Sequence, residues 1–145
     1  MWKDDRMLTI LAQAALWIWF LGCVTTWRFG RVLLVEGMGV RSAEFGVLCL
    51  YSLGLVAYHA LRPWGRWVFL GILALWFAVQ FACHWRYTLF GASERNLQGY
   101  NDCFRGTVRL FPMSDKQLGP DLNHIVLHVL ILVNIALCLI VEGTR

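Results

Sequence analysis

What most constrains this chain is where its charges are missing. Met7 to Trp27, Phe45 to Leu61, Trp67 to Trp85 and Leu122 to Val141 contain no Asp, Glu, Lys or Arg. Each run is about as long as the roughly 20 residues that carry a helix across a bilayer core. In hydrocarbon a backbone must satisfy its own polar groups, which only a helix or a closed barrel achieves. The runs are continuous rather than alternating, so the expectation is an all-α integral membrane protein. It has four antiparallel transmembrane helices, near residues 7–27, 43–61, 66–85 and 121–141, in a single domain of 145 residues.

Composition supports the same class. The chain is 59% hydrophobic and only 15% charged, against roughly 25% charged in soluble globular domains. Its formal charge of +4 does not mark a nucleic-acid binder, because Arg and Lys sit at the ends of apolar runs rather than along one face. They read as headgroup anchors. The lipid bilayer is the first partner implied, and nucleic acid is not one. Counting basic residues on each side places the long loop in the cytoplasm.

The connectors carry their own signals. Residues 28–44 combine an apolar core, Val32 to Val35, with flanking Arg28, Arg31 and Arg41, which suits a segment lying flat in the interface. Gly37 and Gly39 limit any helix there to about two turns. Ser42 is placed to cap the second helix, with Glu44 in its first turn. Pro63 and Gly65 make a tight hairpin between the second and third helices. Residues 86–120 form a long polar loop between the third and fourth helices, with a short extended piece at Thr107 to Phe111; a loop of that length is more often functional than idle. Trp17 and Trp19, in the middle of the first run, are expected to meet lipid or a partner.

Threading the helices alternately gathers most of the reactive groups in one membrane half. His84 ends the third helix, and Asp121, His124 and His128 share one face at the start of the fourth. His84, His124 and His128, with Asp121 as a ligand or as the acceptor that orients an imidazole, form a candidate set for a zinc, copper or iron ion, or for haem. The bland alternative is that histidines within two turns of a helix end simply reach water or headgroups. Cys49, Cys83 and Cys103 are candidate redox thiols in the same half. There is no C-x-x-C pair, so a thiol role requires a bridge such as Cys83–Cys103 in an oxidising compartment.

Gln13, Gln80 and Asn134 are amides in mid-membrane, suited to hydrogen bonds between helices. Gly71, Ala74, Ala78 and Ala82 form a stripe of small residues that admits another helix closely. No mid-membrane carboxylate supports a proton-coupled transporter, and no Ser/His/Asp set or phosphate-binding glycine loop is present. The leading expectation is therefore non-catalytic: a subunit or assembly partner in a larger membrane complex, as a homo-oligomer or with other membrane subunits. A metal- or haem-binding redox protein and an oligomeric pore or carrier are the alternatives.

Overall fold

The computed structural model describes residues 2–61, 63–104, 106–111 and 118–143. It is mostly helical, and four of its helical stretches, Arg6–Val24, Ala43–Ala60, Trp64–Phe90 and Leu122–Ile140, are long and apolar enough to cross a membrane. The elements in chain order are α1 (Trp2–Val24), a hairpin of β1 (Trp27–Phe29) and β2 (Val32–Val35), α2 (Ala43–Ala60), α3 (Trp64–Gln80), a π turn (Phe81–Trp85), α4 (Arg86–Phe90), α5 (Glu94–Cys103) and α6 (Leu122–Gly143). Helix α1 packs on α2 and α6, and α3 packs on the same two, which closes a four-helix ring.

Leu16, Phe20, Tyr51, Phe69, Leu73, Trp76, Leu127 and Ile131 fill the centre of that ring. Polar groups along the seams bond across it. Trp17 Nε1 donates to Ser52 Oγ (3.0 Å) and Tyr51 donates to the Gln13 carbonyl (3.2 Å), tying α1 to α2. Asn134 Nδ2 donates to the Ala12 carbonyl (3.0 Å), tying α6 to α1, and His59 Nε2 meets Gln13 Oε1 at 3.0 Å. Gln13 and Asn134 thus act as interhelical bridges within the ring. Trp17 and Trp19 are half-buried and hydrogen-bonded inside the protein rather than turned to its surroundings. An indole N–H left in hydrocarbon is costly, and both find an acceptor nearby.

Two connectors differ from expectation. Residues 28–44 hold an antiparallel hairpin, pairing Arg28 with Leu33 and Phe29 with Val32, instead of an interfacial helix. Its two-residue link opens with Gly30 at φ 61°, the left-handed conformation that such links require at that position. The chain beyond it then folds back on the end of α1. Met38 N–H and Gly39 N–H donate to the carbonyls of Cys23 and Val24, both at 3.0 Å, satisfying helix-end acceptors. Gly37 is needed there, since a Cβ would lie 2.3 Å from the Thr25 carbonyl carbon.

Residues 86–120 are likewise not one loop. The third helix continues through the π turn to Phe90, and Ser93 caps α5 by accepting from Asn96 N–H. Thr107 bridges to Leu33 and Arg109 to Asp121, so the extended piece joins the hairpin to the start of α6. Pro112 and Arg62 lie outside the described residues. Ser42 caps α2 as expected, accepting from Phe45 N–H at 3.2 Å.

The small-residue stripe on the third helix faces outwards: Gly71, Ala74, Ala78 and Ala82 are exposed, while the opposite face carries Leu73, Trp76 and His84 inwards. The close approach to α2 is made at Gly65, where a Cβ would sit 1.8 Å from the Ala57 carbonyl oxygen, whereas a Cβ at Gly71 meets nothing. We therefore expect Gly65→Ala to destabilise the purified protein by about 1–3 kcal/mol through overpacking, and Gly71→Ala to change stability by less than about 0.5 kcal/mol. Thermal unfolding of the two variants in detergent measures the difference; equal effects would mean that the second and third helices do not meet at Gly65.

Candidate functional site

The π turn sets the geometry of the site. A wide turn, in which the Arg86 N–H reaches back five residues to the Phe81 carbonyl, advances the helix face less per residue than an α turn. It keeps His84 in line with Leu73 and Trp76 on the buried side, and His84 is only 6% exposed. Its ring lies face to face with that of His124, centroids 3.8 Å apart and tilted by 28°. Phe104 packs edge-on against both imidazoles.

His124 is held from the other side by the start of α6. Asp121 precedes that helix and caps it: its Oδ1 accepts the His124 backbone N–H at 3.0 Å, and its carbonyl accepts from Ile125. The same Oδ1 accepts Nδ1–H of the His124 ring at 2.5 Å. One carboxylate oxygen thus orders both the helix and the imidazole. Burial alone would raise the Asp121 carboxyl, but the His124 ring, the His124 backbone N–H and the Thr107 hydroxyl together hold it below its ordinary 3.8. On the far side of the stack, His84 Nδ1 bonds the Tyr100 hydroxyl at 2.9 Å. Burial, with the Asp121 charge adding to it, pushes the Tyr100 hydroxyl upwards, so it stays protonated. Thr88 donates to the Leu118 carbonyl, fixing α4 against the segment that leads into α6.

His84, His124, Asp121 and Phe104 line a cavity of about 490 Å³ between α1, the hairpin, the start of α2, the third helix, the end of α5 and the start of α6, within the usual range of small-molecule sites. Phe20, Val35, Val47 and Trp76 form its apolar wall, with Glu36 contributed from just after β2 and Glu44 from the first turn of α2. Asn123, 1% exposed, also lines it; its Nδ2 donates to Cys23 Sγ at 3.4 Å and its carbonyl accepts Trp19 Nε1 at 3.2 Å.

The structure unites some of the residues expected from the sequence and separates others. His84, His124 and Asp121 converge. His128 turns away: its Nδ1–H donates to the His124 carbonyl at 2.8 Å, and its ring lies edge-on to Phe77 and Trp85. Among the described residues no group of three or more His, Cys, Asp or Glu side chains is arranged to hold a metal ion; of the expected set, His84, His124 and Asp121 come together and the His128 ring points elsewhere. With the rings of His84 and His124 in contact, no gap for a macrocycle lies between them in this arrangement. Among the described residues no cysteine is in a disulfide. Cys83 and Cys103 reach the cavity, and Cys49, exposed on α2, does not line it.

Tyr100 and Asn123 are site residues that the sequence reading missed. Tyr100 was legible: Leu97, Tyr100 and Phe104 recur at helical spacing behind the Ser93 cap. In comparisons with protein families, curated proteins and solved structures, nothing matches this chain.

The lowered Asp121 carboxyl has a definite consequence for pH. A group whose folded value is depressed adds stability above its unfolded value and loses it as pH falls through the folded value. We expect acid destabilisation to set in below about pH 3.8, and Asp121→Asn to lower stability at neutral pH while flattening that acid limb. Unfolding followed from pH 7 to pH 2 tests this; an unchanged acid limb in the variant would contradict it.

Proposed function

We propose that this is a multi-pass membrane protein that takes a small amphipathic molecule into the cavity beside the Asp121–His124 pair and acts on it by proton transfer. The observation that carries this reading is the pair itself. Asp121 occupies Nδ1 of His124, which leaves Nε2 of a cavity-lining imidazole as the proton acceptor. The carboxylate fixes the tautomer and stabilises the imidazolium that forms. With the Tyr100 hydroxyl donating to Nδ1 of His84, that neighbour presents Nε2–H. The stacked imidazoles then offer one acceptor and one donor side by side, an arrangement suited to moving a proton between two positions on a bound molecule.

The test is what copurifies with the protein. An amphiphile in near-stoichiometric amount is expected with the wild type and is lost in Val47→Trp, which fills the cavity. His124→Gln retains a bound molecule of the same mass, but as the unconverted isomer, which differs from that in the wild type in chromatographic retention and proton NMR spectrum. Extracts of Val47→Trp that still carry the same molecule would reject the cavity, and the same isomer in His124→Gln as in the wild type would reject the acid–base role.

A second reading, association with further subunits, is favoured by the outward stripe at Gly71, Ala74, Ala78 and Ala82. It expects a particle larger than the 16.7 kDa chain after mild extraction, and a smaller one for Ala78→Trp. A wild-type protein that runs as a single copy would contradict it.

A further inference from the structure

The cavity wall is lopsided in charge. Its ionisable acids are Glu36, Glu44 and Asp121, and among the described residues no Lys or Arg lines it. Asp121 is engaged by His124 and Thr107, but Glu36 and Glu44 are in no ion pair among the described residues. An anionic headgroup entering here would meet acids and, among the described residues, no cation, an unfavourable juxtaposition of like charges.

A second, independent observation concerns hydrogen bonding. Asn123 is 1% exposed, and its Oδ1 has no partner among the described residues; Gln80 Oε1 is also buried and unpartnered. Both residues line this cavity. Because Asn123 Nδ2 donates to Cys23 Sγ, the orphaned end of that amide is its acceptor. Buried polar atoms without partners are expensive and rare in native proteins; a ligand that donates hydrogen bonds satisfies these two acceptors, and Trp76 Nε1 on the same wall is a buried donor that likewise lacks a partner among the described residues. Phe20, Trp76 and Phe104 add aromatic rings to the wall, and such rings attract cations over their faces.

We propose that the bound molecule is a single-chain amphiphile with a protonated amine head and no anionic group. The head sits among Glu36, Glu44, Asn123 and Gln80, and the chain lies along the apolar wall. This rests on the cavity reading above and narrows it to one class of ligand.

Cys83 and Cys103 line the cavity and Cys49 does not, which supplies a probe with an internal control. In nanodiscs at neutral pH, the rate of alkylation by N-ethylmaleimide is read at each cysteine by mass spectrometry, with dodecylamine, dodecanol or laurate present. We expect dodecylamine to slow alkylation of Cys83 and Cys103 while leaving Cys49 unchanged. Half-protection by the amine is expected at a concentration about tenfold below that needed with the alcohol, and laurate is expected to protect least. A Glu36→Gln/Glu44→Gln double variant is expected to lose about tenfold in amine protection, the worth of one charge-assisted hydrogen bond. If laurate or dodecanol protects as well as the amine, the amine head is refuted and the cavity reading stands. If none of the three protects, or if Cys49 is protected equally, both fail.

Discussion

The arrangement depends on one oxygen atom. Oδ1 of Asp121 accepts the backbone N–H and the ring N–H of His124 together, so the start of α6 and the orientation of a reactive imidazole are set by the same group. A helix begins with donors that lack partners, and in an apolar bundle water is not there to take them. The capping carboxylate meets that need, and in doing so it orients the His124 ring. Helix capping and ring orientation coincide because both are met by hydrogen bonding to one buried carboxylate.

The rest of the site is assembled around that point by elements from every part of the chain. The π turn brings His84 onto the buried face, α5 supplies Tyr100 to its outer nitrogen, and the hairpin and the extended piece at Thr107 form the wall opposite. The ends of α1 contribute through Cys23 and Trp19 to Asn123. Polar atoms elsewhere in the ring, on Gln13, Asn134 and Ser52, mostly bond one helix to another, and such bonds are individually worth about 0.6 kcal/mol in a membrane. On the cavity wall, Trp76 Nε1, Gln80 Oε1 and Asn123 Oδ1 are buried without partners among the described residues.

The four long helices were legible in the sequence because absence of charge over about 20 residues is a signal that tertiary contacts rarely override. Their starts were legible too, through Ser42 and Asp121. The hairpin was hidden because Val32 to Val35 is too short an apolar run to distinguish strand from helix, although Phe29–Gly30–Arg31 carried the turn. Helix α5 was hidden by its polarity and by the expectation that a segment between long apolar runs is loop. The convergence of His84, His124 and Asp121 followed from threading alone. What threading could not give was ring orientation: His124 and His128 share a helix face, yet one ring stacks on His84 and the other bonds the carbonyl of the preceding turn. The π turn, on which the position of His84 depends, has no sequence signature.

The central claim is that the stacked histidines hold opposite tautomers, His124 with its proton on Nδ1 and His84 with its proton on Nε2. Nitrogen-15 solid-state NMR of histidine-labelled protein in lipid at neutral pH, with His59 and His128 replaced by glutamine, reads each ring directly. The account predicts one neutral ring protonated at Nδ1, converted to another form in Asp121→Asn, and one protonated at Nε2, altered in Tyr100→Phe. Two rings in the same tautomer, or a His124 signal indifferent to Asp121→Asn, would contradict it.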